Sequence, residues 1–406
     1  MRFLAYGVLT GSYALALVVS RFGRMLPRRS WKPGQRLAIT GTFHNPGWFV
    51  AHILPLARAG FDEVTLVTDS PQDTPDGVRL ICPPRWMIRL LGRAVSKFLV
   101  LLVTTVRRRS DLCMGYHLFP GAITALLVGR IVGRPVCYQM TGGPIEVIGG
   151  GVYNENIVMS RLRKPSPFLE RLALAVVGEF DLVVVRGTKA RRFLADRGFN
   201  GTVEVITGGV TNGHPRSTRK RGIDLVFVGR LAPIKQPDQF IEIVAAVQSA
   251  LPHVRAAVLG DGPLLESLRN RATEVCVAGS VSFHGKTDDV PTILAESKIF
   301  VLTSRSEGMS IAMIEAMIAG AVPVVADVGE RSDLVEDANN GCVVEPNRIE
   351  SYVDCVLSLL HDRELWTRYS RAASEAAHQN SSLDVIAGKW GRCLQQVIGR
   401  AANRAA

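Results

Sequence analysis

A chain of 406 residues is too long for one ordinary hydrophobic core, so two domains with appendages are expected; 47% hydrophobic and 21% charged residues, with 38 glycines and 21 prolines scattered along the chain, exclude disordered and low-complexity classes. Forty-eight Lys and Arg against 36 Asp and Glu leave a formal charge of +12, which points to an anionic partner. The 7 cysteines, without a C-x-x-C, argue against a disulfide framework or a zinc site and suit a reducing compartment, with the thiols as small core residues.

The first element is an uncharged stretch, Phe3 to Ser20, at the lower edge of the roughly 20 apolar residues that cross a bilayer. Arg21, Arg24, Arg28, Arg29 and Lys32 follow, and the positive-inside tendency would leave the rest of the chain in the cytoplasm. No small-x-small cleavage site precedes Arg21, which puts an anchor or tight membrane contact ahead of a cleaved signal; a helix buried in the protein is the remaining reading. Residues 1–32 are therefore set apart as anchor and basic flank.

Beyond them, short apolar runs followed by helical patterns recur, the sign of parallel sheets built from βα units. A first series of strands is expected at Arg36–Thr40, Glu63–Thr68, Val78–Ile81, Asp111–Tyr116, Pro135–Met140, Leu182–Arg186 and Glu204–Ile206. A second is expected at Asp224–Gly229, Ala256–Gly260, Val281–Gly285, Ile299–Thr303, Val322–Ala326 and Cys342–Val344. Two doubly wound α/β domains follow, residues 33–210 and 223–375. Between them Thr211–Gly222, polar, basic and broken by Gly and Pro, reads as linker and hinge. The helices of 376–406 could cover the second domain or cross back to the first.

One segment of the first domain, residues 85–109, departs from this scheme. Arg85, Arg89, Arg93 and Lys97 recur every fourth residue and form one basic stripe on a helix, with Trp86, Met87, Leu90 and Leu91 on other faces. Phe98–Val106 is then uncharged and closes on Arg107, Arg108 and Arg109. The segment reads as an amphipathic helix lying in a membrane interface, against the plainer reading of a solvated face with a buried back.

Residues able to do chemistry gather at strand ends of the second series. Glu307 and Glu315 are eight apart, directly after an expected strand and a small polar turn. A helix starting near Ser310 would aim its N-terminal amides at the carboxyl edge of the sheet, where a phosphate fits. Alone, two such glutamates are most often surface charges. However, Gly229-Arg230-Leu231-Ala232-Pro233-Ile234-Lys235 brings a guanidinium and an ammonium to one loop, as a diphosphate clamp requires. Gly260-Asp261-Gly262-Pro263 forms a tight turn at the next strand end, and His284-Gly285-Lys286 closes the one after. Four successive strand ends so equipped are hard to obtain by accident.

From about Asp224 to Pro346 the sequence resembles the donor-binding half of the GT4 family of retaining glycosyltransferases. The matches are GRLAPIK, LGDGP, FHGK and SRSEGMSIAMIEAMIAGAVPVVADVGE with its E-x7-E pair. The resemblance implies a GT-B fold, two Rossmann-like doubly wound domains facing a cleft. It implies that Arg230 and Lys235 bind the donor diphosphate, Glu315 the ribose and Glu307 the transferred sugar. The amides after Gly308, those of Met309, Ser310 and Ile311, would face the phosphates. Gly229, Gly260 and Gly262 would line the donor, with His284, Gly285 and Lys286 near the base. Ser310 stands where the family commonly has a second glycine.

The first half matches more loosely. Gly41 opens the loop GTFHNPGW on the donor side, where the family's glycine pair is reduced to one glycine followed by Thr42. His117, in GYHLFPG, aligns with a histidine that the family places beside the reacting centre as an aid to sugar positioning. His117, Glu307, Arg230 and Lys235 then form the catalytic set. Thr141-Gly142-Gly143-Pro144 and Gly149–Gly151 mark flexible loops, and Thr42, Thr141, Gly142 and Gly143 are the acceptor candidates.

The expected activity is transfer of a hexose-type sugar, with retention, from a nucleoside-diphosphate sugar to a membrane-associated, lipid-linked saccharide in surface polysaccharide or glycolipid assembly. A UDP-sugar is placed ahead of a GDP-sugar, and the work is expected at the cytoplasmic face of the membrane. No metal and no cofactor is expected: no D-x-D stands in the strand-end context of a metal-dependent transferase, and no nucleophile and base are paired as in a hydrolase. Two rivals keep the fold. A nucleotide-sugar 2-epimerase leaves the hydrophobic N-terminus and the basic helix unexplained, and a non-catalytic membrane-associated scaffold gains room from the Ser310 departure. Nucleic acid is not expected as a partner, because the basic residues gather beside apolar segments without interleaved aromatics; the oligomeric state stays open.

Overall fold

The computed structural model describes residues 2–25, 34–43, 46–71, 73–153, 156–211 and 221–403. Arg28, Arg29 and Lys32 of the basic flank, His44 and Asn45 of the first glycine loop, and 212–220 of the expected linker lie outside these residues. The first unit runs to Gly209 and takes in the chain again from Ile386; the second is Val210–Val385.

The first unit contains α1 (Arg2–Met25), β1 (Arg36–Thr40), α2 (Pro46–Ala57), β2 (Glu63–Val67), β3 (Val78–Ile81), α3 (Arg85–Arg108), β4 (Leu112–Tyr116) and α4 (Ile123–Val132). It continues with β5 (Val136–Met140), α5 (Pro167–Val177), β6 (Leu182–Val185), α6 (Thr188–Asp196) and β7 (Val203–Val205). The second unit contains β8 (Ile223–Val228), α7 (Pro237–Ala250), β9 (Ala256–Leu259), α8 (Leu265–Glu274), β10 (Val281–Gly285), α9 (Val290–Ala295) and β11 (Ser297–Leu302). After these come α10 (Ile311–Ile318), β12 (Val322–Ala326), β13 (Cys342–Val344), α11 (Ile349–His361) and α12 (Arg363–Ser381); α13 (Leu383–Asn403) returns the chain to the first unit.

Every expected strand is present, and all pair in parallel, in the orders β3-β2-β1-β4-β5-β6-β7 and β10-β9-β8-β11-β12-β13. Helices cover both faces of each sheet, which is why the strands read as unbroken apolar runs. Along β5, Val136, Tyr138 and Met140 enter one hydrophobic cluster and Cys137 the other. Ile386, Trp390, Leu394 and Val397 of α13 join Phe49, Ile53 and Leu56 of α2 in that second cluster, so the last helix completes the first unit's core. An end to the second domain at residue 375 would fall inside α12, a continuous helix that packs on α10. Cys113, Cys137 and Cys393 are buried as expected, but Cys276 is exposed.

The reading of residues 85–109 needs correction. Gly92 adopts φ 76°, ψ 166° and breaks α3, so the fourfold spacing no longer describes one face. Arg85, Arg89 and Arg93 are exposed, whereas Lys97 is buried and bonds Asp69 (3.2 Å). Leu101, Thr104 and Thr105 are buried and Phe98 packs against the core, while Val103 and Val106 stay exposed, so Phe98–Val106 is a helix that packs one side on the first unit.

Candidate active site

In the second sheet the winding reverses between β8 and β11, and the loops that leave these two strands diverge at their carboxyl ends. Thr303, buried just after β11, ties the two loops together by donating its hydroxyl to the carbonyls of Lys235 (3.1 Å) and Gln236 (2.8 Å). The Arg305 amide adds a bond to the Ile234 carbonyl (2.9 Å). These links bring the Lys235 ammonium onto the Glu307 carboxylate as an ion pair, to which the Ser304 hydroxyl also donates (3.3 Å).

Ser310 then caps α10: its buried hydroxyl accepts from the Met313 amide at 3.3 Å. Its departure from the family's glycine is thus a helix cap. Two residues not singled out in the sequence support this loop from β12. The Glu330 amide donates to the Gly308 carbonyl (3.1 Å), and Gly329, at φ 60°, passes so close that a Cβ would fall 2.1 Å from the Glu307 carbonyl oxygen. Both lie in the quoted motif, where V-G-E directly after an apolar strand was the available signal. Glu315 lies farther along α10, largely enclosed, and burial pushes its carboxyl up to about 7.

On the other side of β8, Gly260 is at φ 134°, where a Cβ would come within 1.9 Å of the Gly229 carbonyl oxygen; one on Gly262 would come within 2.4 Å of that of Leu231. These glycines are required by two backbones in contact, and the contact fixes the loop that carries Arg230. The Gly260 amide reaches the Gly285 carbonyl (2.8 Å). Arg230, His284 and Lys286 are exposed; the last two stand at the end of β10, two strands from β8.

In the first sheet the corresponding reversal lies between β1 and β4. Gly41 is buried after β1, where a Cβ would strike the Phe43 ring (2.9 Å) and Tyr116 Cβ (3.0 Å); its small size serves packing. The Thr42 hydroxyl accepts from Lys97 (3.0 Å), which gives that buried lysine its place.

His117 follows β4 with φ 57°, a conformation unfavourable for a side chain that must be held by its surroundings. The holder is Glu146, fully buried and absent from the sequence-based set. Its carboxylate lies 3.2 Å from His117 Nδ1 and accepts from the Tyr138 hydroxyl (2.7 Å) and the amides of Leu118 (2.7 Å) and Gly142 (2.6 Å). Burial alone would raise its pKa, but the charge and hydrogen bond of His117, with the Gly142 and Tyr138 bonds, outweigh burial and hold it below the usual range. Thr141 Oγ1 sits 2.8 Å from His117 Nδ1. The loops read as flexible are therefore tied down: Thr141 and Gly142 by this network, and Gly149 through its amide to Glu170 (2.7 Å). Gly143, at φ 69°, opens the turn that carries Glu146.

Known proteins match part of the sequence and the overall fold. Residues 214–376 match the sequence model of the family described as glycosyl transferases group 1. An exopolysaccharide phosphotransferase of Streptomyces coelicolor is 26% identical over 226 residues, 54% of this chain and 24% of that protein. The UDP-Gal:α-D-GlcNAc-diphosphoundecaprenol α-1,3-galactosyltransferase of Escherichia coli is 29% identical over 150 residues, 36% of this chain and 39% of that protein. The chain thus spans well under two thirds of the length of either relative. The crystal structure of Anabaena HepE in complex with UDP and glucose superposes with a TM-score of 0.73 at 17% identity, covering 89% of this chain and 100% of that one. The fold is GT-B, and the second unit carries the stretch that resembles group 1 glycosyltransferases.

Proposed function

We propose that the protein is a glycosyltransferase that moves a hexose-type sugar from a nucleoside-diphosphate sugar to a membrane-associated, lipid-linked saccharide. The observation that carries this reading is the Lys235–Glu307 pair beside the capped start of α10, inside the stretch that matches the family. It sets a cation for a diphosphate next to a carboxylate for sugar hydroxyls at the switch point of an open sheet.

When a diphosphate takes the place of Glu307 beside Lys235, the carboxylate becomes free to accept from the sugar. The charge developing on the leaving nucleoside diphosphate falls on Lys235, Arg230 and the N-terminal end of α10, and no metal ion is needed. Glu315 accepts from the ribose, and the GT4 resemblance assigns the positioning of the sugar to His117, which Glu146 orients. Thr42, Thr141, Gly142 and Gly143 remain the acceptor candidates, with Thr42 held by Lys97 and Thr141 and Gly142 by the Glu146 network. Retention follows from the GT4 resemblance. A UDP-sugar is preferred over a GDP-sugar, in line with the UDP named for the E. coli relative and the Anabaena complex. The charge of +12 and the apolar outer side of α1 support an acceptor held at the cytoplasmic face of a membrane.

The test is binding and slow nucleotide release with a panel of UDP- and GDP-sugars, in detergent and EDTA, for wild type, Glu315→Ala and Lys235→Ala. One nucleotide sugar whose binding both substitutions weaken supports the reading. Conversion of a bound nucleotide sugar at C2 turns it toward an epimerase, and no binding at all leaves a scaffold.

A further inference from the structure

α1 carries no charge from Phe3 to Ser20, yet only one side of it is covered. Ala5, Leu9, Tyr13, Ala16 and Ser20, at spacings of three and four, form the stripe buried in packing against α4, α5 and the turn Met159–Leu162. The stripe is pinned at its end. Ser20 donates to the Glu179 carboxylate (2.7 Å) and accepts from Arg130 (3.2 Å), and Arg24 pairs with the same carboxylate (2.9 Å). Gly23 lies so close to Arg130 that a Cβ would fall 2.8 Å from its carbonyl oxygen.

The opposite side carries Phe3, Leu4, Val8, Leu15, Val18 and Phe22, between 41% and 92% exposed. A helix lying on a protein in water turns polar residues outward; a continuous outer face of large apolar side chains needs a non-aqueous partner. Charge indicates which one. α3 packs on the same α4, and its first half exposes Arg85, Arg89 and Arg93 with Trp86 and Leu90 between them. Arginines beside one exposed tryptophan and an exposed leucine suit anionic headgroups above an acyl boundary.

We propose that α1 lies in the plane of an anionic lipid surface, held to the protein by its inner stripe and sinking its outer face into the bilayer, rather than crossing it. Crossing would pull Ser20 and Arg24 from Glu179 and Leu9 and Tyr13 from the core, uncovering the apolar sides of α4 and α5. The inference deepens the membrane placement proposed above and rests on it.

The test uses the full chain, with a protease site placed before Met1, added to preformed vesicles of phosphatidylcholine with or without phosphatidylglycerol and floated. Wild type is expected to float with the anionic vesicles, with the site cut by protease added outside. Leu15→Lys with Val18→Lys, which leaves the buried stripe intact, is expected to lower partitioning at least about tenfold without changing thermal unfolding. Three results overturn the proposal: a site protected in sealed vesicles, as a spanning helix requires; flotation unaffected by the double substitution; or a lipid-free self-association that the substitution abolishes, which assigns the face to a second copy. Nucleotide-sugar binding, read on the same samples, shows separately whether the enzymatic reading fails.

Discussion

Lys235 and Glu307, 72 positions apart in the chain, form an ion pair that joins the loops leaving β8 and β11. In the proposed reaction the ammonium exchanges this carboxylate for the donor diphosphate. Glu307→Gln therefore removes a competitor as well as a sugar ligand: UDP affinity is expected to stay level or rise by up to about tenfold, while sugar transfer falls at least about 100-fold. Lys235→Ala is expected to weaken UDP by about tenfold or more. Titration calorimetry with UDP separates the cases. Equal weakening by both substitutions would mean that the pair builds the loop and does not trade partners.

Glu315 makes a prediction in pH. Burial raises its carboxyl from 4.5 to about 7, so between those values the folded chain holds a proton that the unfolded chain has lost. Stability must then fall as pH rises across that window, and the loss is complete above it. Glu315→Gln removes the loss: the variant is expected to gain on the order of 2–3 kcal/mol over wild type at about pH 8 and nothing at about pH 4. An ionised Glu315 also accepts better from ribose hydroxyls, so UDP binding should tighten as pH rises through about 7 in wild type but not in the variant. A pH-independent affinity in wild type would sever the link between this carboxylate and the ribose.

The sheets were legible because helices cover both faces and leave strands as apolar runs; boundaries moved where polar residues belong to a strand, as Ser297 and Lys298 open β11. The error at α3 has an equally definite cause. A spacing of four defines a stripe only while the helix is unbroken, and no periodicity reveals that Gly92 has left helical geometry. Lys97 consequently left the stripe of Arg85 and Arg89 and became a buried partner of Asp69 and Thr42. At the candidate site, Lys235 and Glu307 could be named because their loops follow recognisable strands. Glu146 could not, since its donors come from β5, from the turn after β4 and from Gly142, a set assembled by tertiary structure alone.

That carboxylate gives a prediction of opposite sign. Glu146 is held below its ordinary pKa, so the stability it contributes is present above about pH 4.5 and is lost as pH falls through the lower folded value. Glu146→Ala leaves the Tyr138 hydroxyl and the Leu118 and Gly142 amides without their acceptor and is expected to cost about 3–5 kcal/mol. Glu146→Gln should cost less, about 1–3 kcal/mol, with kcat falling more than KM changes because the His117 ring loses its anchor. Urea unfolding at neutral and acid pH checks this. A gap between wild type and Glu146→Gln that fails to narrow in acid would contradict the assignment.

Ser310 allows the cap to be separated from any contact with the donor. Its hydroxyl is engaged with the Met313 amide, so in this conformation it serves the helix first. Ser310→Ala deletes the cap and should cost about 1 kcal/mol, whereas Ser310→Gly, which restores the residue common in the family, should cost only a few tenths. If capping is its whole role, UDP affinity should change less than about threefold in either variant, because the N-terminal end of α10 survives both. A loss of tenfold or more in both variants, beyond what their unfolding accounts for, would instead make the serine hydroxyl a donor ligand and change what the glycine-to-serine departure means for the pose of the sugar.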